Sequence, residues 1–180
     1  MAEQGSLRLA FLDTSLFEDG AVIRGAALIT DPETRPCEFR CTSSIKPSTV
    51  QRVLYGDTLE EYILVELVGL PLMRAAKEKA SLVLVKNPLF LQMRPALACP
   101  VVLVSRDSRS ALSSDAGSEL KPVIISSHRE FPAEASTARQ MLATVMQKRD
   151  LLEPFERVRA ALAEAHKQRV GDTVSGGARA

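Results

Sequence analysis

The chain has 180 residues, of which 46% are hydrophobic and 25% are charged. This length and composition suit one globular domain that buries a core without disulfides or a structural metal ion. Its 23 Lys and Arg residues nearly balance 22 Asp and Glu residues, which excludes a protein-wide positive field that gathers nucleic acid or acidic membrane. An aromatic content of 4%, with no Trp, argues against a surface that stacks several bases.

The N-terminal part of the chain predicts three consecutive strands. Residues 7–13 and 21–31 are rich in strand-forming residues, and a turn-forming segment over 31–36 leads into a third strand over 37–45. Because short turns join neighbouring antiparallel strands, this pattern predicts an antiparallel three-strand meander.

A helix is predicted after the meander. A short helical connector lies between Pro47 and Gly56, and the apolar spacing over 58–73 then favours an amphipathic helix with a kink at Pro71. The piece over 62–68 is rich in β-branched residues, so a strand there is the alternative.

The second half of the chain predicts three more strands and two helices. Continuous apolar runs over 82–86 and 101–105 suit strands that are covered on both faces, with a brief helix over 88–94 between them. A loop rich in Ser, Asp and Gly over 106–119 is expected to be mobile and precedes a strand over 122–127. Amphipathic helices follow over 135–148 and 154–166. We therefore predict a single α/β domain over 1–168 and a flexible tail over 169–180.

This order of elements, together with three short motifs, resembles the ribonuclease H-like superfamily. The motifs are an aspartate-containing first strand, a small-residue run in the second strand and a glutamate in the first helix: Phe11-Leu12-Asp13-Thr14-Ser15, Gly25-Ala26-Ala27-Leu28 and Val65-Glu66-Leu67. The resemblance covers residues 7–105 and implies a mixed sheet of that superfamily's order. It also implies acidic side chains around two magnesium ions, which activate water for phosphodiester cleavage.

The chain departs from that acidic set at the end of the strand that follows the helix. Asp13 and Glu66 match two of the acidic positions, but the third position holds Lys86-Asn87-Pro88. An ammonium group beside two divalent cations is electrostatically unfavourable. The first hypothesis is therefore a non-catalytic interaction or accessory subunit without a cofactor, whose partner is another protein, a second copy of the chain or nucleic acid. The alternative is a magnesium-dependent phosphodiesterase that uses Asp13 and Glu66.

Two further groups of residues are candidate binding sites. A phosphate-contacting patch around the third strand would comprise Arg35, Arg40, Lys46 and Arg52, although interleaved acidic residues favour an ordinary mixed-charge surface. A small-ligand domain is the third hypothesis, with Asn87 and His128 as ligand-binding residues, because strand ends present ligand groups in α/β domains. The sequence contains no phosphate-binding P-loop, no G-x-G-x-x-G motif and no G-x-S-x-G motif.

The cysteines and the N-terminus predict a cytoplasmic protein. Cys37 and Cys41 have the spacing of half a zinc site, but no second Cys or His pair follows, so we expect these two and Cys99 to be buried core residues. The first residues lack the pattern of a signal peptide, and no apolar run is long enough to cross a membrane.

Overall fold

The computed structural model describes residues 6–106 and 122–172. The strands in these residues are β1 (Leu9–Phe17), β2 (Val22–Thr30), β3 (Pro36–Cys41), β4 (Leu82–Val85), β5 (Val101–Arg106) and β6 (Val123–Ser127). The α-helices are α1 (Thr49–Tyr55), α2 (Leu59–Tyr62), α3 (Leu70–Ala75), α4 (Glu134–Lys148) and α5 (Glu153–Lys167). Short 3-10 helices lie at Gly56–Thr58 and Pro88–Ala96, and a π-helical segment, Ile63–Gly69, joins α2 to α3. None of the described helices is both long and apolar enough to cross a bilayer.

The described strands form one mixed sheet in the order β3-β2-β1-β4-β5-β6. Strands β1, β2 and β3 pair antiparallel, β1, β4 and β5 pair parallel, and β6 pairs antiparallel with β5. This confirms the predicted α/β class, the N-terminal antiparallel meander and the two C-terminal helices. Because β1 and β4 are parallel neighbours and Val85 pairs with Leu12, β4 ends beside the middle of β1, which continues to Phe17.

The sheet is covered on both faces. Side chains on alternate positions of a strand point to opposite faces, so Phe11 packs against α4 and α5, whereas Leu12 packs against the helical stretch 59–75 and the 3-10 helix after β4. The two faces form two buried apolar clusters. This double cover explains why β4 is apolar at every position.

Residues 59–75 form a continuous helical stretch, so the predicted helix is confirmed and the strand alternative over 62–68 is wrong. Pro71 has no N–H to donate, and the wider π-helical segment lies directly before it. The stretch approaches β2 closely, since a Cβ added at Gly25 would lie 2.1 Å from Val68 Cγ1. The small-residue run of β2 therefore has a packing reason.

Several boundaries differ from the predictions. Strand β1 continues to Phe17, so Asp13 lies inside the strand rather than at its end. Strand β3 stops at Cys41, and Ile45 keeps only an isolated bridge to Ile23. Cys37 is exposed, against the prediction, because β3 is an edge strand of the sheet. Most of the predicted mobile loop, 107–119, lies outside the described residues.

The buried side chain of Arg24 ties the C-terminal segment to the sheet. Its guanidinium is fully buried and donates hydrogen bonds to the carbonyl oxygens of Thr42, Ala165 and Val170. Asp172 lies 3.9 Å from the same guanidinium and accepts hydrogen bonds from the backbone N and Oγ of Ser44 at 2.7 and 2.8 Å. The backbone bond is the main reason that the pKa of Asp172 is lowered.

These contacts involve the first residues of the predicted flexible tail. Residues 169–172 are packed against β2 and the segment after β3 through Arg24 and Ser44. Residues 173–180 lie outside the described part of the chain.

Candidate functional site

Helix α5 lies along β1 and places its inward side chains over that strand. Phe155 meets Phe11 edge to face with ring centroids 5.4 Å apart, and His166 stacks on Phe17 at 4.1 Å. Asp13 is two residues after Phe11 in the strand, and Arg159 is one helical turn after Phe155. Since both steps span about 6 Å, Arg159 arrives over Asp13.

Asp13 has the most buried carboxylate among the described residues, and both of its oxygens accept hydrogen bonds. Its side chain is 7% exposed; Oδ2 accepts a hydrogen bond from Arg159 Nε at 2.9 Å, and Oδ1 accepts one from the backbone N of Thr14 at 2.9 Å. The Arg159 side chain is 44% exposed. The guanidinium therefore bridges a buried anion and the solvent.

Lys86 lies next to Asp13 at the carboxyl end of β4. Leu12 pairs with Val85 across the two parallel strands, so the following residues, Asp13 and Lys86, are neighbours and point to the face covered by α5. Lys86 is half-buried, and its Nζ lies 6.0 Å from the centroid of the Phe155 ring. No described carboxylate forms an ion pair with it. We call Asp13, Lys86, Phe155 and Arg159 the strand-end cluster.

Glu66 is not part of the strand-end cluster. It lies exposed on the π-helical segment, which packs on the opposite face of the sheet from α5. The structure therefore does not bring together the two carboxylates, Asp13 and Glu66, that the sequence suggested as catalytic. The helical acid that reaches the end of β4 is Glu60, whose Oε1 lies 3.5 Å from Asn87 Nδ2.

The side chains at the strand ends do not fit a pair of magnesium ions. Hard divalent cations need several free oxygen ligands. Within residues 6–106 and 122–172, no group of three or more His, Cys, Asp or Glu residues is placed to hold a metal ion. Asp13 is engaged by Arg159, and Lys86 adds a second positive charge beside it.

The four basic residues predicted to contact phosphate do not form one free patch. Arg40 is paired with Glu38, and Lys46 Nζ lies 3.1 Å from Glu18. Backbone N–H groups of the segment after α3 also donate to Glu38 and lower its pKa. Arg35 lies exposed beside the turn between β2 and β3, and Arg52 lies exposed on α1. A nucleic-acid role for this set stays a prediction.

His128 and Asn87 both have structural contacts. His128 is buried, its Nε2 lies 3.3 Å from Gln92 Oε1, and its Nδ1 accepts a hydrogen bond from the backbone N of Glu130. The Asn87 side chain accepts from the backbone N of Leu89 and caps the 3-10 helix. Their predicted role in binding a ligand is untested, and Asn87 is the one that lies beside the strand-end cluster.

Sequence reasoning missed Arg159 as a site residue and treated Lys86 only as a departure from the acidic pattern. A signal for Arg159 was present, because it lies one turn after Phe155 at the edge of the apolar face of α5. What the sequence did not reveal was the register that places this helix over β1.

No protein-family model matches the sequence, and no curated protein matches it. The fold is nevertheless shared with solved structures of Endonuclease V. Human ENDOV is 14% identical, with a TM-score of 0.62, over 92% of this chain and 86% of its own. Endonuclease V from Streptomyces avermitilis is 17% identical, with a TM-score of 0.58, over 91% and 83%. Endonuclease V from Ciona intestinalis, solved with a 24mer DNA that contains an inosine, is 12% identical, with a TM-score of 0.59, over 92% and 88%.

These comparisons confirm the ribonuclease H-like fold. They also correct the first functional hypothesis. The structural neighbours are nucleases rather than accessory subunits, which contradicts the hypothesis of a non-catalytic accessory role and favours the nuclease alternative. Among these neighbours, the Ciona intestinalis protein is the one solved in complex with DNA. A protein partner or a homo-oligomer stays a prediction, as does a cytoplasmic location.

Proposed function

We propose that this chain acts on nucleic acid and that a nucleic-acid strand passes over the strand-end cluster, where β4 ends beside Asp13 of β1. The observation that carries the proposal is the strand-end cluster, where two cationic side chains stand against one carboxylate at the edge of a sheet. Strand ends are where α/β sheets bind their ligands, and positive side chains are the main source of affinity for a phosphate backbone. The shared fold with DNA-bound Endonuclease V structures supports the same ligand class.

Phosphodiester cleavage is the second candidate function, and the nuclease neighbours are the observation that favours it. In the arrangement described above, Asp13 would have to exchange Arg159 for a metal ion before it acted as a ligand. Magnesium would be the cofactor only if the chain cleaves phosphodiester bonds, and nucleic-acid binding by itself does not call for it.

Binding is tested by fluorescence anisotropy with labelled oligonucleotides at low and moderate salt. The panel contains single-stranded DNA, single-stranded RNA, duplex DNA, and the 24mer with an inosine followed by a ribo-adenosine that one neighbour binds. We expect saturable binding that weakens as salt rises, because phosphate contacts release counterions. An absence of saturable binding to every member of the panel at low salt would refute the proposal.

Cleavage is tested on the same oligonucleotides with magnesium or manganese, and the products are resolved on a denaturing gel. The nuclease candidate predicts metal-dependent products that disappear in Asp13→Asn. Intact substrate with every metal, or products that persist in Asp13→Asn, would reject it. The binding proposal stands or falls separately on the anisotropy data.

A further inference from the structure

We infer that the strand-end cluster is a metal-independent site for a phosphate group of the nucleic-acid backbone, with Arg159 and Lys86 as the phosphate ligands. The inference rests on the function proposed above and specifies the chemistry of its site. A pair of magnesium ions needs several free oxygen ligands, whereas this chain places two cationic side chains and one engaged carboxylate at the site.

The cluster carries an excess of one positive charge. Asp13 is the buried anion, and Arg159 satisfies it through Nε alone, with Oδ2 as the acceptor. No described group accepts a hydrogen bond from the two terminal nitrogens of the Arg159 guanidinium, and the side chain is 44% exposed. These N–H groups form a planar donor pair that is suited to a phosphate.

Lys86 supplies the second cation. The residue is half-buried and neighbours Asp13 across the two parallel strands, and its Nζ lies 6.0 Å from the centroid of the Phe155 ring. No described carboxylate forms an ion pair with it. An ammonium without a carboxylate partner is available to pair with another anion, such as a phosphate group. Phe155 is itself fully buried against Phe11, so the position of the ring is fixed.

Asp13 has a positioning role in this arrangement. Its hydrogen bond to Nε, together with the hydrogen bond from Thr14, fixes the direction of the guanidinium before a phosphate arrives. Its negative charge also opposes the incoming phosphate. Asn keeps an acceptor oxygen for Arg159 Nε but removes the charge. Asp13→Asn should therefore raise the metal-free affinity for nucleic acid, whereas in a metal-bridged site the same replacement should lower it.

The experiment measures the affinity of the full chain for labelled single-stranded DNA in EDTA and, separately, with magnesium. The variants are Lys86→Gln, Arg159→Gln and Asp13→Asn, and the matched control is Lys167→Gln, which removes one positive charge from the exposed end of α5. Circular dichroism and thermal unfolding of each variant establish that it is folded. The salt dependence of binding is recorded for each.

We expect wild-type binding to persist in EDTA. Lys86→Gln and Arg159→Gln should each weaken it about tenfold, as expected for a lost hydrogen bond to a charged group. Each should also reduce the slope of log affinity against log salt by about 0.7, the value for one phosphate contact on a single strand. Lys167→Gln should change affinity by less than about threefold, in keeping with a distant, screened charge. Asp13→Asn should bind more tightly in EDTA.

Three results would overturn the inference while leaving nucleic-acid binding itself intact, although the second would also remove the evidence that the nucleic acid passes over the strand-end cluster. They are binding that requires magnesium, losses for Lys86→Gln and Arg159→Gln no larger than for Lys167→Gln, and weaker binding by Asp13→Asn in EDTA. An absence of wild-type binding under every condition would overturn the inference and the proposed function together. If Arg159→Gln fails to fold, Lys86→Gln decides the question, because Lys86 makes no hydrogen bond within the described structure.

Discussion

Replacement of Arg24 by Met should be among the most destabilising substitutions of a charged residue in this protein. The guanidinium is 0% exposed, and it donates to the carbonyl oxygens of Thr42, Ala165 and Val170. The substitution removes the donor from the part-buried carbonyl oxygens of Thr42 and Val170, whereas Ala165 O still accepts from the backbone N of Val170. A hydrogen bond from a charged donor contributes about 1.5–3 kcal/mol. The loss is offset in part because Met does not have to be desolvated. The net expectation is about 3 kcal/mol, because two hydrogen bonds from a charged donor are lost and part of that loss is offset.

The assay is equilibrium unfolding in urea at neutral pH, followed by circular dichroism. With a typical slope of about 1–3 kcal/mol per molar, the midpoint should fall by at least about 1 M. Arg74→Met is the matched control, because Arg74 is exposed on α3 and makes no hydrogen bond within the described residues, so it should change stability by less than about 0.5 kcal/mol. A loss below about 1 kcal/mol for Arg24→Met would show that water replaces the guanidinium, and the reasoning would be refuted.

Three further predictions concern other parts of the fold. Gly25→Ala should lower the free energy of unfolding by about 1–3 kcal/mol, because the new Cβ would lie 2.1 Å from Val68 Cγ1. Adding Val68→Ala to the same chain should recover part of that loss, and no recovery would contradict the packing explanation. A double-mutant cycle of Asp13→Asn and Arg159→Gln should give a coupling free energy of unfolding of about 1 kcal/mol, a modest value because solvent screens the partly exposed Arg159. A coupling of zero would show that the pair contributes no more than an ordinary surface ion pair. Folding lowers the pKa of Asp172, so the stabilisation that its carboxylate provides is present above the ordinary aspartate pKa and is lost as pH falls through the folded value. The wild type should therefore lose more stability than Asp172→Asn between about pH 5 and pH 3. Parallel pH profiles of the two proteins would contradict this.

The element order was predictable because each element carries a local pattern. Continuous apolar runs indicated β4 and β5, and the 3.6-residue spacing indicated α4 and α5. The boundaries of the elements were less predictable. Strand β1 extends past Asp13 because it pairs with β2 as far as Phe17, whereas the local sequence pattern predicts that a strand ends at a charged residue.

The site was not predictable to the same degree, because it depends on which face each side chain occupies. Asp13 and Glu66 match short motifs in sequence, but they lie on opposite sides of the sheet. The pairing of Asp13 with Arg159 joins positions 146 residues apart. No local pattern encodes such a contact, and only the packing of α5 along β1 reveals it.

The contacts of Arg24 link the second strand to the last described residues, and this has a consequence for synthesis on the ribosome. The meander can pair as soon as it emerges, but the carbonyl groups of Ala165 and Val170 that accept from the guanidinium arrive only after residue 170 has been translated. Until then the charge of Arg24 has to remain hydrated. Nascent chains that stop before residue 165 should therefore stay sensitive to proteases, and the complete domain should become resistant in one late step.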